Sequence, residues 1–180
     1  MQQDPGPGRR SGVIPESVAR AGGPPWPAAL VAVYSAERTE LVRAAFLICG
    51  SVASAEDAVH DALARVAARW DAVANGRSYL YVAVVNAARD IARRDERSIR
   101  FVARRRVAST APDLANVSAD SLALRTALAR LAVNHRAAIV LRFFLDWDDD
   151  EIAERFGVKP ATVRSWVHRG VASLRRELEK

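Results

Sequence analysis

Cysteine is almost absent from this sequence: Cys49 stands alone among 180 residues. A single thiol excludes a disulfide framework within the chain and a cysteine-built zinc cluster, and it gives no reason to expect an oxidising compartment. Lysine is nearly missing as well. Only Lys159 and Lys180 are lysines among 27 basic residues, and 35 residues are alanine. GC-rich coding produces this composition, so the arginine total says nothing about phosphate, and only local clusters of charge carry information. No long apolar run exists either. The longest, Ala44 to Ala53, falls well short of the roughly 20 residues that span a bilayer, so no membrane insertion is expected. The opening residues, MQQDPGPGRR, contain no apolar segment of the signal-peptide kind, and the chain is expected to be cytoplasmic.

Proline is confined almost wholly to one end. Residues 1–27 hold six of the eight prolines and five of the nine glycines. Such a segment supports neither helix nor core and is expected to be a disordered tail. From Ala28 to Arg97 there is no proline. A second zone, 98–119, mixes Arg, Ser, Thr, Asn and Pro112 without a sustained period and reads as a flexible linker. Helical periodicity then resumes over 120–180. No stretch alternates strongly enough to suggest a strand. The expected architecture is therefore all-α: two small helical domains, 28–97 and 120–180, joined by a flexible linker.

In the first block the apolar spacing predicts three helices. Ala28–Cys49 carries Leu30, Tyr34, Leu41, Ala45 and Phe46 and stops near Gly50. Ser54 with Asp57 suggests a capping box for a second helix, ending near Trp70. Ser78 is expected to cap a third, with Leu80, Val84, Ala88 and Ile91 as its stripe. The second block reads as Asp120–Leu131, His135–Leu145, Asp148–Phe156 and Pro160 to about Leu178. Pro160 suits a first helical position, where its missing N–H would be unpaired in any case.

Residues 148–174 have the pattern of a helix-turn-helix. Ile152 and Ala153 face inward, Gly157 permits the turn, Val158 plugs the angle, and Val163, Val167 and Leu174 continue the core. Lys159, Ala161, Thr162, Arg164, Ser165, His168 and Arg169 are left outward, a short basic, hydrogen-bonding face of a kind that enters a major groove. The acids Asp146–Glu154 suit the positive end of a helix dipole. They lack the glycine and spacing of a calcium loop, so no metal is expected. In the third helix, Asn86, Arg89, Arg93 and Arg97 recur at three- and four-residue steps opposite the apolar stripe, and Asp90 is positioned to pair with Arg94. Seven arginines and two acids lie between Arg93 and Arg106. With a net charge of +6 and a pI near 10.4, this strip is suited to a nucleic-acid backbone. A solvated basic helix is the plainer alternative.

Taken in order, these segments resemble the sigma-70 family of bacterial sigma factors, in its two-domain extracytoplasmic-function (ECF) group, of the actinobacterial kind. Ser54–Asp61 resembles the segment that docks on the β′ clamp helices of RNA polymerase. Val85–Arg94 resembles the Asn-x-x-x-Asp…Arg-Arg helix of region 2, which reads and helps open the minus-ten element. Glu151–Arg175 resembles the region 4 helix-turn-helix that reads the minus-thirty-five element. His60, Leu131-Ala132, Trp166 and Gly170 depart from the usual residues, and Gly170 is expected to cost helix stability.

The resemblance implies a transcription initiation factor with no catalytic site and no cofactor. Its partners would be core RNA polymerase and promoter DNA, with room for an anti-sigma factor. It assigns Lys159, Thr162, Arg164, Ser165, His168 and Arg169 to the minus-thirty-five element. Asn86, Arg89, Arg93, Arg94 and Arg97 fall to the minus-ten element, with the loop Asp71–Arg77 near the captured base. Glu56, Asp57, His60, Asp61 and Arg65 fall to polymerase. A helix-turn-helix repressor or activator, and a helical protein-interaction module, are the other classes this layout allows. An enzyme is disfavoured, because Cys49, His60, His135 and His168 have no nucleophile–base spacing; Cys49 is expected to be core.

Overall fold

The computed structural model describes residues 26–101 and 119–179, and within these every regular element is helical. The tail and most of the linker lie outside the described residues. Helix α1 spans Ala28–Cys49, as the periodicity predicts, and ends where Gly50 turns left-handed at φ 85° with its N–H on the Phe46 carbonyl. Helix α2 spans Val52–Ala67. Its cap is Ser51, whose Oγ accepts from the Ser54 N–H at 3.1 Å, so the expected cap at Ser54 is corrected by one turn. The left-handed Gly50 sets Ser51 extended, which a cap requires. A 3-10 turn follows at Trp70–Ala72.

Helix α3 runs Gly76–Phe101, a few residues past the expected end. Asn75 replaces Ser78 as its cap: the Asn75 Oδ1 accepts from the Ser78 N–H at 3.1 Å. The six-membered ring of Trp70 packs against the start of this helix at Gly76. A Cβ at Gly76 would sit 2.3 Å from its Cη2, so only glycine admits the indole there.

Helices α1–α3 form a three-helix bundle around Leu30, Leu41, Ile48, Val59, Leu63, Val66, Leu80, Val84 and Val85. The abundant alanine is put to use here. Ala44, Ala45, Ala55, Ala58, Ala62 and Ala88 are wholly buried, and their small side chains let the helices pack closely.

In the second block α4 spans Ala119–Ala129 and α5 spans Val133–Ile139. The expected single helix to Leu145 is interrupted, because α5 passes into a π-helical turn, Val140–Phe144, closed by the Leu145 N–H on the Val140 carbonyl at 3.2 Å. A π turn changes the phase of the side chains, and it leaves Phe143 66% exposed. Helix α6 spans Asp149–Phe156 and α7 spans Pro160–Leu178, the latter with its expected bounds.

The two blocks pack on one another. Helix α1 meets α4, α5 and the π turn, and α3 meets α5. Val133, Ala137, Val140, Leu141, Ile152, Ala153 and Val163 join the same core as the first bundle. Arg136 crosses this boundary with only 5% exposure. Its Nη1 donates to the Ile48 carbonyl at 2.7 Å, its Nη2 donates to the Leu131 carbonyl at 3.1 Å, and Glu96 lies 3.5 Å away.

One polar network ties α1 to the start of α3. Arg77 donates to Glu37 through Nε at 2.7 Å and Nη2 at 3.1 Å, and the Tyr81 hydroxyl lies 2.7 Å from Glu37 Oε2 and 3.0 Å from Glu40 Oε2. The Arg77 and Tyr81 hydrogen bonds hold the Glu37 carboxyl below its ordinary pKa. A lowered acid contributes stability above its unfolded pKa and loses it as pH falls through the folded one. Urea unfolding between roughly pH 5 and pH 3 should therefore show a steeper loss of stability for the wild type than for Glu37→Gln. Equal slopes would contradict this role for Glu37.

Candidate nucleic-acid interface

The helix-turn-helix is assembled by its own local chemistry. Asp148 caps α6: its Oδ1 accepts from the Glu151 N–H at 2.8 Å, while Glu151 Oε2 accepts from the Asp148 N–H at 3.1 Å. This capping box, with Asp149 and Asp150 in the first turn, accounts for the acidic run as a helix start. Among the described residues no group of three or more His, Cys, Asp or Glu is placed to hold a metal. Gly157 takes φ 63°, and the Val158 N–H bonds to the Ala153 carbonyl at 3.0 Å, which closes the turn. Helix α7 then starts at Pro160, with Val163 fully buried and Leu174 closing its inner face.

Of the six residues assigned to duplex DNA, Lys159, Arg164, His168 and Arg169 are exposed and Thr162 and Ser165 half-buried, all on one helix and its entry. The inward side of α7 holds two departures from the family pattern. Trp166 is half-buried, its ring 6.2 Å from that of Phe156 and tilted by 50°. Gly170 is buried where α7 crosses α5. A Cβ there would stand 2.5 Å from Ile139 Cδ1 and 3.5 Å from His135 Cβ. The glycine thus permits close approach, which offsets the propensity cost expected from its position in a helix. His135 is half-buried beneath this crossing, and burial, then the charge of Arg169, pushes its pKa down.

The basic face of α3 differs from the solvated strip that its periodicity suggests. Asn86, Arg89 and Arg93 do share a face, and the second block buries Arg89 while leaving the Arg93 side chain 42% exposed. Arg89 is 9% exposed. Its Nη1 donates to Asn86 Oδ1 at 3.1 Å, its Nη2 donates to Asn134 Oδ1 at 3.0 Å, and its guanidinium stacks 3.8 Å from the centre of the Phe156 ring. Arg93 donates to the same Asn134 oxygen at 2.7 Å. Burial lowers the Arg89 pKa to about 10, Arg93 adds to the effect and Asp90 opposes it, so the group remains charged at neutral pH. Asp90 pairs with Arg93 at 3.9 Å rather than with Arg94, as expected from spacing. Arg94 and Arg97 stay exposed, Arg97 donating to the Arg93 carbonyl. Asn134 and Phe156 carry no role in the sequence-based expectation. Phe156 ends the first helix of the helix-turn-helix and Asn134 lies at a helix junction, and no periodicity marks a residue that reaches across two blocks.

The third set lies elsewhere. Glu56, Asp57, His60, Asp61 and Arg65 are all exposed on α2, opposite its buried face, with Asp61 and Arg65 joined as an ion pair. Cys49 is half-buried, its Sγ donating to the Ala88 carbonyl at 3.5 Å, and burial pushes its thiol up to about 12. It is a packing group with little thiolate at neutral pH.

Comparison with known proteins agrees with this layout. A family model described as Sigma-70 region 2 matches residues 33–99, and one described as Sigma-70, region 4 matches residues 121–174. The chain is 32% identical over 165 residues to the ECF RNA polymerase sigma factor SigL of Mycobacterium tuberculosis, covering 83% of this chain and 88% of that one. It is 30% identical to the RNA polymerase sigma-E factor of Streptomyces coelicolor over 142 residues, 77% of this chain and 79% of the other. A solved structure of the sigma factor RpoE in complex with the anti-sigma factor NepR, from Bartonella quintana, is similar in fold. Its TM-score is 0.66 at 23% identity, over 84% of this chain and 94% of that one.

The α5–α7 crossing can be tested by filling it. Gly170→Ala should leave stability within about 1 kcal/mol of the wild type, because the propensity gain is offset by moving Ile139. Gly170→Val should lose about 1–3 kcal/mol through overpacking. Urea midpoints measure both, and a Val variant as stable as the wild type would show that the helices do not meet there.

Proposed function

Because the chain belongs to the sigma-70 family of RNA polymerase sigma factors, in its ECF group, we propose that its two basic helices divide a promoter between them. The protein is an initiation factor that directs core RNA polymerase to promoters. Sigma factors are non-catalytic, and this chain on our reading does no bond chemistry and takes no cofactor. It acts by selective binding in the cytoplasm, where its polymerase works; among the described residues no helix is long and apolar enough to cross a membrane.

Residues 120–180 serve as the minus-thirty-five module. Helix α7 enters the major groove, with Arg164, Ser165 and His168 toward base edges and Lys159, Thr162 and Arg169 on phosphates. Residues 28–97 serve as the minus-ten module. Asn86, Arg89, Arg93, Arg94 and Arg97 follow the opened strand, and the Asp71–Arg77 loop lies beside the unstacked base. Glu56, Asp57, His60, Asp61 and Arg65 form the docking face for the β′ clamp helices. The segments 1–27 and 98–119 serve as tail and tether. The complex of the similar RpoE with NepR supports an anti-sigma factor as a further partner. One observation carries this reading: a capped helix-turn-helix with an exposed basic outer face follows, in one chain, a helix bundle bearing a second arginine-rich face.

Run-off transcription with purified core polymerase on genomic DNA tests it, and promoter-specific starts are expected only when the chain is added. In a promoter-duplex binding titration of the holoenzyme, Arg164→Ala should weaken binding by about 1–3 kcal/mol if the arginine reads a guanine bidentately. Equal loss on every sequence would confine it to phosphate. Arg93→Ala with Arg94→Ala should reduce open-complex formation more than duplex binding, and permanganate footprinting with an unchanged bubble would refute that role.

A further inference from the structure

We propose that Glu37, Arg77 and Tyr81, with Trp70 seated on Gly76, are positioning residues that hold the loop 71–75 in one preformed shape to receive the unstacked base. The inference rests on the sigma-factor reading and deepens it, because it names what sets the geometry of the minus-ten loop. The loop has little with which to fix itself. Asp71, Ala72, Ala74 and Asn75 are exposed and only Val73 is half-buried, so its shape is set from its ends. At the first end, the Ala72 N–H bonds to the Arg69 carbonyl and the Val73 N–H to the Trp70 carbonyl, both at 3.1 Å. The Trp70 ring packs at Gly76, where a Cβ would stand 2.3 Å from Cη2, so the residues on either side of the loop meet. At the other end Asn75 caps α3 through the Ser78 N–H, and Arg77 is tied to α1 by hydrogen bonds to Glu37 at 2.7 Å and 3.1 Å.

The exposed half of this clamp adds more direction than stability. The Arg77 side chain is 60% exposed, and an exposed ion pair contributes little to folding. Its geometry is nevertheless two-pronged, which fixes orientation as a single contact does not. The guanidinium also lies 5.0 Å from the centre of the Tyr81 ring, so it is held from a second side. Tyr81 is itself buried, and its hydroxyl, placed between the Glu37 and Glu40 carboxylates, anchors the acceptor that Arg77 uses. Two carboxylates beside a strand-binding loop would repel phosphates. Here Arg77 and Tyr81 engage both, with Arg77 Nη2 4.0 Å from Glu40. A loop already held in its receiving shape loses less conformational freedom when a base arrives.

Holoenzyme made from core polymerase and the full chain is titrated with a promoter, mapped by run-off transcription, whose minus-ten segment is left unpaired. Each unpaired base is replaced in turn by an abasic nucleotide, and the position where the wild type loses most, about tenfold, marks the received base. Glu37→Gln removes the carboxylate charge, Arg77→Lys keeps the positive charge without the two-pronged grip, and Gly76→Ala unseats Trp70. Each should bind the intact strand about tenfold more weakly than the wild type, and the abasic replacement should cost each of them less than about twofold. Glu37→Gln combined with Arg77→Lys should be no weaker than either alone, because they break one unit. Simple electrostatics predicts the opposite sign for Glu37→Gln and no change for Arg77→Lys. Variants that match the wild type on the intact strand, or that lose the same factor with and without the base, would overturn the positioning role. A wild type indifferent to every abasic position would refute reception of a base by this loop, and the positioning role with it. A chain that forms no holoenzyme fails the sigma-factor reading itself.

Discussion

Arg89 brings a positive charge into a boundary between two helical blocks, where an asparagine, a second asparagine and a phenylalanine ring receive it in place of water. Much of the relation between the blocks turns on that placement. The first bundle could fold around its alanine-lined core without it, and the helix-turn-helix closes through its own capping box and glycine turn. What joins them is a shared apolar core, Arg136 reaching the Ile48 carbonyl, and the arginine pair on Asn134. The core term favours closure and the buried charges oppose it. A boundary built from opposing contributions of this kind is one that a partner can separate with modest differential affinity.

Nonspecific binding is driven mainly by phosphate contacts. Arg89 is covered at the boundary, whereas the Arg93 side chain is 42% exposed and Arg94, Arg97 and the outer face of α7 lie in solvent. The docking face proposed on α2, with Glu56, Asp57, His60, Asp61 and Arg65, is exposed in the same structure.

Much of the fold was legible in the residues. Ala28–Cys49 and Pro160–Leu178 fall where apolar spacing, Gly50 and Pro160 put them, and the helix-turn-helix followed from Ile152, Ala153, Gly157, Val163 and Leu174. The caps were harder. Ser51 and Ser54 are equally good cap residues by type, and only the left-handed backbone of Gly50 decides between them; at α3 the Asn75 side chain takes the Ser78 N–H. The π turn at Val140–Phe144 left no trace in a 3.6-residue period. At the site, spacing correctly put Asn86, Arg89 and Arg93 on one face, but periodicity cannot tell whether a polar face meets water, DNA or another part of the chain. That required Asn134 and Phe156, which are unremarkable until the blocks are seen together. Gly170 shows the reverse error: a cost when read as helix propensity, and a close-approach point that offsets this cost once Ile139 lies beside it.

The central claim is that the arginine-bearing helix α3 meets the opened promoter strand while α7 reads the duplex. A photo-cross-linking residue introduced at position 90, beside Arg89 and Arg93, tests it most directly when it is activated in the open complex with core polymerase. The account predicts cross-links to promoter DNA. Cross-links to polymerase or to the chain itself, with none to DNA, would contradict it.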